Sequence, residues 1–138
     1  MSYDNPIVFI VDVKDRISSL LAGTFWLKGF KPFKFINEKE CLTKFKELNG
    51  KVDAITIIID NQTVLDNNIM LIENIKKINP DTKILVISEK QDEKYKIKFE
   101  EYGVDDIALV PLSPSDISDR VLMMISKHKW LENQKDLL

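Results

Sequence analysis

The stretch Ile7-Val8-Phe9-Ile10-Val11-Asp12 places five apolar residues, four of them β-branched, directly before an acid. A strand with one face in water would alternate apolar and polar residues, so this run predicts a strand buried on both faces. Three later runs have the same character, and they are Ala54–Ile59, Ile84–Ile87 and Ile107–Val110. Strands of this kind form the interior of parallel sheets.

Segments with helical spacing separate these strands. A first helix is predicted at about 17–28, with Asp15 as its cap and Gly29 just beyond its last turn. Its apolar face is predicted to comprise Leu20, Leu21, Thr24 and Phe25. Asn37 with Glu40 three residues later predicts the start of a second helix, after a short strand at 33–36.

Further helices are predicted at about 68–77 and 92–102, and a fifth begins at Ser113-Pro114-Ser115-Asp116. Strands and helices therefore alternate as (βα)5. Short buried strands joined by helices require a parallel sheet with helices on both faces and right-handed crossovers. The sequence thus predicts a single doubly wound α/β sandwich.

Composition limits the classes of function. The chain has 138 residues, 16.0 kDa and a net charge of −2, which indicates one domain, predicted at 1–127, with 128–138 as a helical extension or tail. The charge argues against binding to nucleic acid or to an anionic membrane. Cys41 has no second cysteine in the chain to pair with, and His128 is the only histidine, so the sequence lacks an intramolecular disulfide and the ligands for a zinc site. A reducing, cytoplasmic location is expected.

Polar residues follow the predicted strands at the edge where open parallel sheets bind ligands. Asp12 and Val13 follow the first strand, Asp60 and Asn61 the third, Ser88 the fourth, and Val110-Pro111 end the fifth. Two acids and a hydroxyl are therefore expected to lie near one another.

This pattern resembles the receiver domain of two-component response regulators over nearly the whole chain. The likeness includes the strand ending at Asp12, the spacing from Asp60 to Ile75, and Gly103-Val104-Asp105-Asp106-Ile107 followed by Pro111. The resemblance implies a flavodoxin-like sheet of order 2-1-3-4-5. It also implies Asp60 as phosphoacceptor, Ser88 as a phosphoryl contact and a cis peptide bond before Pro111.

Three positions depart from the family pattern. Val13 stands where receivers have a second acid, Val110 where they have lysine, and Ile107 where they have a switch aromatic. Mg²⁺ needs oxygen ligands, so Asp12, Asp60 and the Gln62 carbonyl would form at most a weak site. Lys14 is a candidate substitute for the missing positive charge.

The resulting expectation is an atypical receiver, or pseudo-receiver, without enzymatic activity of its own. It would act in phosphorelay signalling through protein contacts, with a histidine kinase or phosphotransfer protein as partner. The apolar run Leu122–Ile125, continuing toward Trp130 and Leu131, suggests a partner surface or a homodimer through helices four and five, with a broad contact to the core as the alternative. A working switch at Asp60 is the alternative. A flavodoxin-like ligand-binding protein is disfavoured because no glycine-rich phosphate loop follows the first strand.

Overall fold

The predicted alternation of strands and helices is confirmed. The computed structural model describes residues 5–59, 62–88, 93–109 and 113–136. The strands are β1 (Ile7–Val11), β2 (Lys31–Phe35), β3 (Ala54–Ile59), β4 (Lys83–Ser88) and β5 (Asp106–Leu109). The helices are α1 (Ser18–Leu27), α2 (Glu38–Glu47), α3 (Gln62–Ile78), α4 (Glu93–Glu101) and α5 (Pro114–Asp136).

All strand pairs are parallel and the sheet order is β2-β1-β3-β4-β5, as the resemblance implied. β2 and β5 are therefore the edge strands. At the β2 edge, Pro32 lies between Lys31 and the exposed Lys34, and its ring nitrogen carries no N–H to donate. This edge is more polar than the interior strands.

Apolar side chains from alternate strand positions fill two cores, one on each face of the sheet. Phe9, Ile57 and Val86 point toward α2, α3 and α4, whereas Ile10, Leu85 and Ala108 point toward α1 and α5. β1 and β4 are buried at nearly every residue. Continuous apolar runs occur because these strands are covered on both sides.

Several helix boundaries follow local signals that the sequence carries. The Asn37 side chain accepts a hydrogen bond from Glu40 N at 2.8 Å, and the Ser113 hydroxyl accepts one from Asp116 N at 3.1 Å, so both predicted caps are confirmed. Gly29, at φ +89°, follows the last turn of α1, and Phe30 N donates to Phe25 O at 3.0 Å. That pair forms a left-handed helix end that favours glycine.

Other sequence predictions of local structure were wrong. α3 begins at Gln62 rather than Asn68, and Asn68 is a fully buried residue within the helix. Leu20 does not share the inward face of α1, because of the four residues predicted there Leu21 and Phe25 are buried whereas Leu20 is 64% exposed. β2 lies at Lys31–Phe35, so it starts and ends earlier than the strand predicted at 33–36.

Candidate functional site

Asp12 is the acid that follows β1, and it is 3% exposed. Its Oδ2 accepts a hydrogen bond from Ile17 N at 3.0 Å, and its backbone N donates to Phe35 O at 3.0 Å. Its carbonyl oxygen accepts from Asp15 N, also at 3.0 Å. Asp12 therefore fixes the loop from β1 to α1 through both its backbone and its carboxylate.

The predicted cap at Asp15 is wrong. Ile17 occupies the N-cap position of α1, and it makes no side-chain cap hydrogen bond. Asp15 instead has a positive φ of 49° and accepts a hydrogen bond from the Ser18 hydroxyl. The Asp12 carboxylate, which lies outside the helix, thus accepts the hydrogen bond from the N-cap residue of α1. Asp15 adopts the left-handed conformation of the loop before the helix.

Ser88 ends β4 and is 6% exposed. It pairs with Ile59 on β3 and with Leu109 on β5, whereas Val11 pairs with Ile57. Asp12 is therefore level with Ile58, and Asp12 and Ser88 lie on either side of β3 at the carboxyl edge of the sheet. This is the edge where the sequence predicted a site.

The other predicted site residues are placed less completely. Asp60, Val110 and Pro111 lie outside the described residues, and Gln62 is the first residue of α3. Val13 is 40% exposed and Lys14 is exposed. The roles assigned to these residues, and to Ser88, remain predictions.

Ile107 occupies the third departure from the family pattern. It lies on the edge strand β5, half-buried, and packs against the core that faces α2, α3 and α4. An aliphatic side chain has no ring to rotate between a buried and an exposed position. Movement of an aromatic at this position is therefore excluded by the residue type.

A divalent cation is the cofactor that the fold family implies, and Mg²⁺ usually takes one or two carboxylates together with water. Among the described residues no group of three or more His, Cys, Asp or Glu side chains could hold a metal ion. Asp12 offers one carboxylate, of which one oxygen already accepts from Ile17 N, and the Val13 side chain offers no oxygen. The described residues therefore do not by themselves fit a Mg²⁺ site.

The family-like sequence from Gly103 to Ile107 lies at the opposite end of the sheet. Asp105 accepts hydrogen bonds from Ile84 N at 2.8 Å and from Lys76 Nζ at 2.9 Å. Asp106 binds Arg120 Nη1 through both carboxylate oxygens, at 3.2 and 3.0 Å. These acids join β4, β5, α3 and α5, so they stabilise the fold and lie far from the carboxyl edge.

This network includes residues that the sequence analysis missed. Lys76 also donates to Thr82 O at 2.8 Å, and the Asp53 carboxylate accepts from Ile7 N at 2.9 Å. Ile7 and Asp53 are 46 residues apart, so their contact has no local sequence signal, whereas Lys76 and Thr82 are six residues apart across the end of α3. From the sequence alone, these charged residues could not be distinguished as structural rather than functional.

No family model matches the sequence, and no curated protein matches it either. Solved structures do. A CheY-like response regulator receiver domain protein from Methanospirillum hungatei is 16% identical, with a TM-score of 0.79 over 91% of this chain and 97% of that one. A response regulator from Thermotoga maritima is 26% identical, with a TM-score of 0.73 over 88% and 98%.

A response regulator receiver domain protein from Clostridium thermocellum is 17% identical, with a TM-score of 0.78 over 91% of this chain and 98% of that one. These likenesses span nearly the whole length of each neighbour. No helix in the described ranges is long and apolar enough to cross a membrane. The chain has the receiver-domain fold of the response regulators.

Proposed function

We propose that the chain is an atypical receiver that acts in phosphorelay signalling through protein contacts, with Mg²⁺-dependent phosphorylation of Asp60 impaired. The observation that carries this proposal is the state of the acid pair after β1. Val13 replaces one acid, and the Asp12 carboxylate accepts a hydrogen bond from Ile17 N. Phosphoryl transfer depends on positioning and charge neutralisation, so a depleted ligand set slows it.

Charge at the other end of the site supports the same proposal. An aspartyl phosphate adds about two negative charges beside Asp12. A lysine would stabilise these charges through a charge-assisted hydrogen bond of about 1.5–3 kcal/mol. This chain has Val110 at that position, which cannot form such a bond. We propose that Lys14, two residues beyond Asp12, supplies part of the missing positive charge.

Protein contacts are proposed for the α5 side of the molecule. Leu122 is 40% exposed and Met123 is 71% exposed on this helix. A groove of about 790 Å³ lies beside them, lined by Lys83, Asp105, Asp106, Arg120, Met123, Met124, Ser126 and Lys127. Two methionines lie among charged and polar side chains in this groove, and protein-binding surfaces commonly combine methionine and arginine with other polar groups. A histidine kinase, a phosphotransfer protein or a homodimer through α4 and α5 would use this side.

Intact mass spectrometry after incubation with Mg²⁺ and a small-molecule phosphodonor tests the proposal. We expect no stable phosphate adduct on the wild-type chain, under conditions in which a standard receiver is fully modified. Val13→Asp with Val110→Lys restores the family residues, and we expect this double variant to gain an adduct. Adding Asp60→Ala to the double variant should abolish that gain.

A working switch is the second candidate, and one observation favours it. Asp12 and Ser88 lie at the same carboxyl edge on either side of β3, as a phosphoryl site at Asp60 would require. An adduct on the wild-type chain that disappears in Asp60→Ala would establish this candidate. It would also show that Val13 and Val110 are tolerated.

A further inference from the structure

The turn after α2 contains the one Asn-Gly step of the sequence, Asn49-Gly50. Asparagine followed by glycine is the step most prone to spontaneous deamidation, because glycine has no side chain to hinder attack by its backbone nitrogen on the asparagine amide. Asn49 is exposed to solvent, whereas Gly50 is buried. The fold therefore exposes the amide that would be lost and encloses the residue that would attack it.

Backbone hydrogen bonds hold both residues at the end of α2. Asn49 N donates to Lys46 O and Gly50 N donates to Phe45 O, each at 2.9 Å. These two bonds form a Schellman motif, in which the residue after the C-cap adopts a left-handed conformation. Asn49 has this conformation, with φ +55°. The N–H of Gly50, which must lose its proton before the nitrogen can attack, is thus hydrogen-bonded in the folded chain.

Contacts with the end of α3 hold Gly50 from the other side. Asn79 Nδ2 donates to Gly50 O at 2.7 Å, and Val52 N donates to the same oxygen at 2.9 Å. A Cβ built on Gly50, whose φ is +71°, would lie 3.1 Å from Ile78 Cγ2 and 3.3 Å from Asn79 Cβ. Both the available space and the backbone conformation favour glycine here. The fold thus depends on the glycine that makes Asn49 reactive.

The backbone at position 49 would accept glycine as readily as asparagine. Glycine is the residue most often found at this point of a Schellman motif, and it adopts a positive φ without steric cost. We propose that Asn49 is a modification site, at which the side-chain amide is hydrolysed through a cyclic imide. The closed end of α2 sets the rate, because Gly50 N can attack only after its hydrogen bond to Phe45 O has broken.

The reaction needs only water as co-reactant. Gly50 N loses its proton to solvent and forms a bond to Asn49 Cγ, while the Cγ–Nδ2 bond breaks and Nδ2 leaves as ammonia after taking a proton from solvent. Water then opens the cyclic imide at either carbonyl, which gives aspartate or isoaspartate. Both products place a negative charge at the C-terminal end of α2, where the helix dipole disfavours it. Isoaspartate also adds a carbon atom to the main chain, so the Schellman hydrogen bonds lose their geometry.

Peptide mapping of the full chain after incubation at mildly alkaline pH measures the modification. Cleavage after Lys46 and Lys51 isolates residues 47–51, which contain the site. We expect deamidation in guanidinium chloride to be at least about tenfold faster than in the folded chain, because the folded chain must first break a backbone hydrogen bond. The control is Asn49→Gly, which removes the reactive amide and should leave the urea midpoint unchanged or higher.

Two variants distinguish opening of this turn from unfolding of the whole chain. Asn79→Asp keeps the acceptor for Asp81 N but removes the donor to Gly50 O, and it should speed deamidation of the folded chain about threefold or more. Val121→Ala creates a cavity in the core on the opposite face of the sheet, and it should leave the rate unchanged.

Three results would overturn the proposal. They are an intact Asn49 in the denatured chain, equal rates in the folded and denatured chain, and equal acceleration by Asn79→Asp and Val121→Ala. None of these measurements involves phosphorylation, so failure here is distinguishable from failure of the proposed function.

Discussion

Cys41 is an interior side chain and not a reactive one. It is fully buried in α2, and burial raises the pKa of its thiol to about 12. The thiolate, which is the reactive form, is therefore nearly absent in the folded chain at neutral pH. The sequence places Cys41 on the apolar stripe of α2, so this burial could be anticipated.

We expect thiol reagents to label Cys41 only when the chain unfolds. Because the thiol has a higher pKa folded than unfolded, the unfolded state loses its proton first. The stability contribution is full below about pH 9, the unfolded value, and is lost as the pH rises toward about 12. Labelling rates at pH 8 with increasing urea should follow the unfolding curve. Rapid labelling without denaturant would contradict this account.

Thr56 carries a hydroxyl with no hydrogen-bond partner among the described residues. It lies fully buried in β3, and its neighbours along the sheet are Ile10 and Leu85. Burying an unpaired hydroxyl costs about 1–3 kcal/mol. Thr56→Val keeps the shape and removes the polar atom, so we expect it to raise the free energy of unfolding by about 1 kcal/mol. Urea unfolding measures the change, and an unchanged or lower midpoint would reveal a partner for this hydroxyl.

At the scale of elements, the sequence signals that succeeded are short-range. Asn37 and Ser113 were identified as caps because the donors they satisfy lie three residues away. The N-terminus of α1 escaped the same reasoning because its partner, Asp12, precedes the loop, and the contact requires Asp15 to adopt a positive φ. No local pattern encodes that geometry.

The start of α3 shows a different limit. Asn68 has the character of a cap and suggested a helix start, but it is fully buried because Leu65 and Ile69 on either side pack into the core. Tertiary packing thus overrode the local preference of asparagine. The position of Asp12 and Ser88 at the carboxyl edge could be predicted, because strand ends are defined by the apolar runs themselves.

Asp105 contacts both α3 and β4, so its removal should lower the stability of the whole fold. Asp105→Ala leaves Ile84 N without its acceptor and removes a partner of Lys76. We expect a loss of about 1.5–3 kcal/mol in unfolding free energy, the range for hydrogen bonds to a charged group. Asp119→Ala is the control, since it breaks only the exposed pair with Lys28 and should cost less than about 1 kcal/mol. Equal effects from the two variants would contradict the assignment.

At the scale of the whole molecule, the polar residues at the two ends of the sheet make different contacts. The amino end holds β4, β5, α3 and α5 together through Asp105 and Asp106. The carboxyl end holds Asp12 and Ser88 on either side of β3, at the edge where open parallel sheets bind ligands. The separation between structural and proposed functional residues is only partial, because Asp12 at the carboxyl end also fixes the loop from β1 to α1.

Lys14→Ala tests how far that separation holds. If the Lys14 ammonium offsets the charge of Asp12 and Asp60, its removal should lower the urea midpoint near neutral pH, by up to about 1 kcal/mol in unfolding free energy. Lys51→Ala, at an exposed loop lysine remote from this edge, should have no effect. If the two variants unfold alike, Lys14 does not substitute for the missing positive charge.

The Lys31, Pro32 and Lys34 edge of β2 has a consequence for the behaviour of concentrated solutions. An open strand edge is a template on which further chains can add, and stacked additions lead to fibrils. A missing N–H and two ammonium groups obstruct such growth along β2. In concentrated solutions, extension of the sheet from the β2 edge should therefore be disfavoured.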